Sequence, residues 1–288
     1  MRKWIFLIVL FTSTAQVFGQ SILLLDSVTK EPIQYAHIIY YADKKVAGGT
    51  YSDKLGKAEL LLSGEVDTVK ISYLGYETQI ITANKIPERI FLVAKPEMLN
   101  EVLITPNYQA PTAFVGFKKG RKSGPHTSPI TGYQLVTFIK NPSSEAKQIK
   151  SFVFYLKEKN TSASAMIRLI LFKNENGIPG AEIAVKNLPS VGSFENQKVE
   201  INLDSLNLIF PVSGLFVGVE LIGCANEIEP KDKNSPCQWV TMHTLQKGRT
   251  LNQTFVRAVF STSSWTDLNE GMQIDATVIP AFGLIVYE

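Results

Sequence analysis

A chain of 288 residues, 45% hydrophobic and 19% charged, is long enough for two ordinary domains and has the composition of a folded protein rather than a disordered one. Its formal charge is only +3, and losing Arg2 and Lys3 with a leader takes +3 to about +1. Such a balance excludes an electrostatic footprint for nucleic acid.

The first segment reads as a secretory signal over residues 1–19. Arg2 and Lys3 precede the short apolar run Trp4–Phe11, and the polar, small stretch Thr12–Gly19 places Val17 and Gly19 at −3 and −1 of a cleavage before Gln20. The apolar run is too short to span a bilayer as a stable helix. No cysteine follows it, which closes the lipid-anchored route, and no later run approaches membrane length. The expectation is an exported chain with no transmembrane segment in its mature part.

From Ser21 the pattern is all-β. Ile22–Leu25 is a short apolar strand and Asp26–Pro32 a polar turn. Ile33–Tyr41 alternates, with Ala36, Ile38 and Tyr40 on one face. Gly48-Gly49 is expected to turn the chain. Ser52–Gly56 is expected to turn it again, with Asp53 bonding its own backbone and Gly56 left-handed. Strands follow over Ala58–Leu62, Asp67–Tyr76, Gln79–Thr82 and Glu88–Val93. In Asp67–Tyr76, Val69, Ile71, Tyr73 and Gly75 share one face, and Lys70, Ser72, Leu74 and Tyr76 the other. Seven short strands at roughly ten-residue spacing predict a sandwich, not βαβ units.

Specific motifs sit on these segments. Glu31-Pro32, Ala36, Gly49-Thr50, Ser52-Asp53 with Gly56, Leu60, Ser72-Tyr73-Leu74-Gly75-Tyr76 and Leu99-Asn100-Glu101-Val102 follow in that order. With them, residues 20–104 resemble a carboxypeptidase-regulatory-like domain of the Bacteroidetes type, a transthyretin-like sandwich. The resemblance implies a seven-stranded transthyretin- or immunoglobulin-like fold and a place in the cell envelope, since such domains precede many TonB-dependent transporters. Ser52 stands where the family usually has Thr, and keeps the hydroxyl. Transport does not carry over, because fewer than two hundred residues follow, without a barrel's repeated strands. Hydrolysis does not either. In carboxypeptidases this sandwich is accessory, and His37, His126 and His243, the only histidines here, lack a Glu at metal-motif spacing.

Residues 105–129 read as a linker, with four prolines, three glycines and the basic run Lys118–Lys122. A solvated connector is one reading of that run; salt-sensitive contact with anionic lipid or polysaccharide is the other. Residues 130–288 read as a second domain. Strands are expected at Tyr133–Ile139, Ile149–Leu156, Met166–Phe172, Lys198–Leu203, Gly214–Leu221, Trp239–His243, Phe255–Phe260 and Ala276–Tyr287, with a strong break at Asn174–Gly180. About eight longer strands without helical periodicity predict a jelly-roll-like β-sandwich.

Chemistry is sparse. Cys224 and Cys237 are the only cysteines. Export permits a disulfide between them, with two buried thiols or a metal site as alternatives. Arg168 and Glu220 are charges inside apolar strands; a buried pair would mark a ligand pocket, whereas alternation would place each toward solvent. Trp239 and Trp265 are the mature chain's only tryptophans, either platforms for a sugar ring or caps on a sandwich end. Trp265, in a polar loop, is the better platform. No nucleophile elbow and no phosphate loop is present. The expectation is a non-catalytic envelope module binding glycan or protein, without cofactor or metal. A structural accessory subunit of an envelope assembly is the alternative, and an uncharacterised hydrolase comes third.

Overall fold

The computed structural model describes residues 18–62, 65–95, 111–118, 130–156, 165–183, 198–224, 242–247, 253–271 and 276–288. They fall in two compact units. One comprises the described residues up to Ser72 together with Thr78–Val93; the other comprises Tyr73–Glu77 together with those from Ala94 onward. Both are built of strands, as expected. Among the described residues no helix is long and apolar enough to cross a membrane.

The first unit has seven strands, the number predicted, although β3 lies where a turn was expected: β1 (Phe18–Asp26), β2 (His37–Ala42), β3 (Lys45–Tyr51), β4 (Lys57–Leu62), β5 (Thr68–Ser72), β6 (Gln79–Thr82) and β7 (Arg89–Leu92). They form two sheets, ordered β4-β1-β7 and β3-β2-β5-β6. Period-2 alternation decides what each strand buries. In β4, Lys57, Glu59 and Leu61 face out while Ala58, Leu60 and Leu62 face in. Ile22, Leu24, Ile38, Leu60, Val69, Ile71, Ile90 and Leu92 complete a dry interior, each contributing on the order of 1.5–3 kcal/mol by leaving water.

Local geometry corrects several expectations. Gly48-Gly49 is not the turn: both lie within β3, opposite Tyr40 and Ile39. The chain reverses at Asp43-Lys44, with φ of 48° and 63°, the doubly left-handed pair whose twist suits a two-residue hairpin. Strand β2 starts at His37, not Ile33, because Tyr35 is left-handed at φ 56°. The Ser52 hydroxyl ties that irregular entry, donating to the Ile33 carbonyl (2.7 Å) and accepting from the Ala36 N–H (2.9 Å). The turn at Ser52–Gly56 forms as expected. Asp53 Oδ1 accepts from the Leu55 and Lys57 N–H groups at 2.8 and 2.9 Å, and Gly56 has φ +74°. The strand expected over Asp67–Tyr76 ends at Ser72. Tyr73–Tyr76 close a turn, the Tyr76 N–H donating to the Tyr73 carbonyl at 3.1 Å, with Gly75 at φ +81°. A Cβ on Gly75 would meet nothing within 4 Å; glycine is required there by backbone conformation alone.

In the second unit the strands are β8 (Thr112–Gly116), β9 (Tyr133–Ile139), β10 (Lys147–Tyr155), β11 (Ala165–Glu175), β12 (Ile178–Ile183), β13 (Lys198–Asn202), β14 (Ile209–Phe210), β15 (Leu215–Cys224), β16 (Met242–Lys247), β17 (Thr254–Ala258), β18 (Thr266–Asp267), β19 (Ala276–Pro280) and β20 (Gly283–Tyr287), with one helical turn, α1 (Leu268–Gly271). A six-stranded sheet runs β12-β11-β15-β9-β17-β18. A five-stranded one runs β13-β10-β20-β8, with β14 also on β10, and β16 pairs β19. One core joins the two large sheets. Leu135, Leu169, Leu171, Val217 and Val219 from the first meet Phe152, Phe154, Phe210, Leu284 and Val286 from the second, with Phe282. The result is the antiparallel two-sheet sandwich expected of a jelly-roll-like domain.

The predicted linker is corrected by β8. Thr112–Gly116 pairs antiparallel with β20, and the Pro111 carbonyl accepts from the Glu288 N–H at 3.0 Å. Proline just before a strand loses no ladder bond, so it did not mark a break. The expected break at Asn174–Gly180 is the tight turn Asn176-Gly177, with φ of 58° and 83°, joining β11 to an unforeseen partner, β12. The leader up to residue 17, the remaining linker, and Trp239 to Thr241 of an expected strand lie outside the described residues. Strand β1 begins at Phe18, two residues inside the segment read as leader.

Candidate functional site

The six-stranded sheet presents two buried faces. An antiparallel sheet covered on one side only would alternate apolar and polar residues. Here the face turned away from the core carries a second buried cluster of Val136, Ile170, Phe172, Phe216 and Phe255, with Phe138 and Trp265 packed against it. Register places a polar row across the same face. Arg168 on β11 lies opposite Glu220 on β15, Glu220 opposite Gln134 on β9, and Gln134 opposite Arg257 on β17. Arg168 is 5% exposed, Glu220 0% and Gln134 1%.

Two guanidinium groups end this row, and the fold treats them differently. Arg168 Nη1 donates to Glu220 Oε2 at 3.3 Å, an ion pair out of water. Arg257 donates through Nε and Nη2 to Gln134 Oε1 at 2.9 and 2.6 Å. Its guanidinium lies 4.2 Å from the centre of the Trp265 ring and 5.8 Å from that of Phe172, within cation–π range of both. Trp265 meets Phe172 edge-on, 5.2 Å between centres at 82°. The β17–β18 hairpin sets this stack. Phe255 pairs with Asp267 and Val256 with Thr266, so Trp265 falls opposite Arg257. Burial pushes the Arg257 guanidinium below its ordinary pKa, and the negative fields of Glu182 and Glu220 oppose that shift.

Three of the four residues singled out from sequence therefore share one face. Arg168 and Glu220 are paired and buried, which corrects the solvent-facing alternative. Trp265 is half-buried beside an exposed loop of Ser261, Ser263 and Ser264, and Arg257 covers one side of its indole. Trp239 and Cys237 lie outside the described residues. Cys224 ends β15, and because Cys237 lies outside the described residues the disulfide expected between them does too. Gln134 and Arg257 escaped the sequence reading. Their signal was that β9 and β15 are apolar at both parities, so a polar residue within them, or beside them on β17, must find a partner.

A separate cleft of about 260 Å³ opens beside β8 and β20, lined by Ala113, Val115, Asn141, Ser143 and Lys147 among others. Its cation is already matched, since Lys147 Nζ lies 4.0 Å from Glu145, and Asn141 spends its amide on the Glu145 and Phe210 carbonyls. Among the described residues no three His, Cys, Asp or Glu side chains converge.

Neither a family model nor a curated protein matches the chain. Among solved structures it is similar to the cysteine protease and lectin-like domains of Cwp84, a surface layer associated protein of Clostridium difficile. Identity is 11% and the TM-score 0.41, over 95% of this chain and 63% of that one. A clostridial cysteine protease Cwp84 variant after propeptide cleavage gives 10% identity and a TM-score of 0.41, over 95% and 71%. The chain thus spans less than two thirds of the first of these. A likeness of that size assigns neither family nor function.

Proposed function

We propose that this is an exported, non-catalytic binding or adhesion module of the cell envelope, holding a glycan or a protein where the half-buried Trp265 and Arg257 reach the surface beside its six-stranded sheet. The observation that carries this is the Trp265–Arg257–Gln134 stack. An indole, a guanidinium and a carboxamide are held in fixed register at the edge of an apolar sheet face, and a loop of serines lies beside them. Aromatic surface with a few oriented polar groups is how polyhydroxylated rings are commonly held. In the same reading the first unit is a carboxypeptidase-regulatory-like domain. Its seven strands, its Ser52 hydroxyl and its Asp53–Gly56 turn support that assignment.

The test is glycan-array binding by the purified chain, with Trp265→Ala in parallel. Binding of a defined glycan set, weakened at least tenfold by the substitution, is the expected result. A second reading, an accessory subunit docked through edge strands, is favoured by one feature: β6 is an edge strand with Ile80 69% exposed. Silence on the array, with one stoichiometric envelope protein retained through β6, would replace the first reading by the second.

A further inference from the structure

We infer that Arg257 anchors an anionic subsite that takes the carboxylate of an acidic sugar; this rests on the glycan-binding reading and narrows it. The starting point is the asymmetry of the two arginines. Arg168 is answered by a carboxylate at 3.3 Å. Arg257, half-buried on the same row, is answered only by a neutral amide and two aromatic rings, and among the described residues it forms no ion pair. A guanidinium partly stripped of water with no carboxylate in hydrogen-bonding contact keeps the capacity to take one.

Donor accounting points the same way. A guanidinium has five N–H groups. Gln134 Oε1 takes one from Nε and one from Nη2 and so fixes the plane of the group. Among the described residues the Nη1 edge has no hydrogen-bond partner, and a planar fork matches a carboxylate better than a compact ammonium would. The surrounding field restricts the anion. Glu182, opposite Phe172 in the β11–β12 ladder, and Glu220 both place negative field at Arg257, which favours a singly charged carboxylate over a phosphate dianion. The half-buried Trp265, backed by the buried Phe172, provides an apolar surface for the ring bearing that carboxylate.

The experiment is calorimetric titration of the full chain at low ionic strength. The probes are tri-galacturonate and sialyllactose, each against its carboxyl-reduced counterpart. At least one acid should bind tenfold or more tightly than its reduced form. Arg257→Gln should abolish that preference, so that acid and reduced forms bind the variant equally. Arg257→Lys should fall between. Equal affinity for acid and reduced forms overturns the subsite, as does a preference that survives Arg257→Gln. The wild-type comparison decides this even where the glutamine variant fails to fold. If neutral sugars bind through Trp265 without a carboxylate preference, the subsite falls and the module reading stands. If no probe and no arrayed glycan binds, both fall.

Discussion

Removing one partner of the Arg168–Glu220 pair should be among the most damaging single changes to the second unit. The two charges lie 3.3 Å apart with side chains 6% and 0% exposed. At an effective dielectric of about 20 their attraction is about 5 kcal/mol, and desolvation of both groups offsets much of it. Glu220→Gln keeps the shape and deletes the charge, so the attraction is lost while the Arg168 desolvation remains. The expected cost is about 3–5 kcal/mol. Arg168→Met should cost a similar amount for the mirror reason. The double variant Arg168→Met/Glu220→Leu removes both desolvation terms and extends the neighbouring apolar cluster, so it should return to within about 1–2 kcal/mol of the parent. Urea unfolding followed by circular dichroism, with all four proteins at one pH, gives the coupling energy directly. A Glu220→Gln variant within about 1 kcal/mol of the parent would refute the reasoning. So would a double variant as costly as the two singles added together.

Other substitutions test the fold element by element. Gly75→Ala should cost about 1–2 kcal/mol, since only the left-handed backbone resists it. Gly218→Ala should unfold the second unit, because a Cβ there overlaps the Leu135 carbonyl oxygen and Val136 Cα; circular dichroism of the pair separates backbone strain from collision. Ser52→Ala should lower the urea midpoint by the equivalent of about 2–3 kcal/mol, leaving the Ile33 carbonyl and the Ala36 N–H without their bonds. Burial pushes the Tyr40 hydroxyl up from 10.0 to about 12. Between those pH values the unfolded chain has lost a proton that the folded one keeps, so stability falls as pH rises, by on the order of 2 kcal/mol. Tyr40→Phe should flatten that part of an alkaline series of urea midpoints.

Legibility followed burial. Where the two faces of a strand differ in burial, as in β5, alternation was enough: Val69 and Ile71 share one face as read, and it is the buried one. Turns were legible where a side chain closed them, as Asp53 does. They were misread where glycine was taken as sufficient, because the reversal belongs to Asp43-Lys44 and Gly48-Gly49 are ladder residues. β8 was hidden by its flanks, since Pro111 and Gly116 look like linker residues until a partner strand more than 160 residues away is known. The site was half legible for the same reason. Arg168 and Glu220 stand out as charges in apolar runs. Gln134 and Arg257 gain meaning only from a register that spans four strands, and no local window of sequence contains that register.

Each unit is completed by the last of its own strands. Strand β1 lies between β4 and β7, and its parallel partner β7 is more than sixty residues downstream. Strand β20, last in sequence, lies inside its sheet between β10 and β8. A chain appearing from its N-terminus therefore carries β1 with open edges until Lys57–Leu62 and then Arg89–Leu92 follow, and β8 and β10 wait for Gly283–Tyr287. Pairings of such long range are slow to form and leave sticky edges exposed meanwhile. Progressive C-terminal deletion should therefore not erode the second unit gradually: losing five residues from β20 separates β8 from β10 and opens the core along Leu284 and Val286.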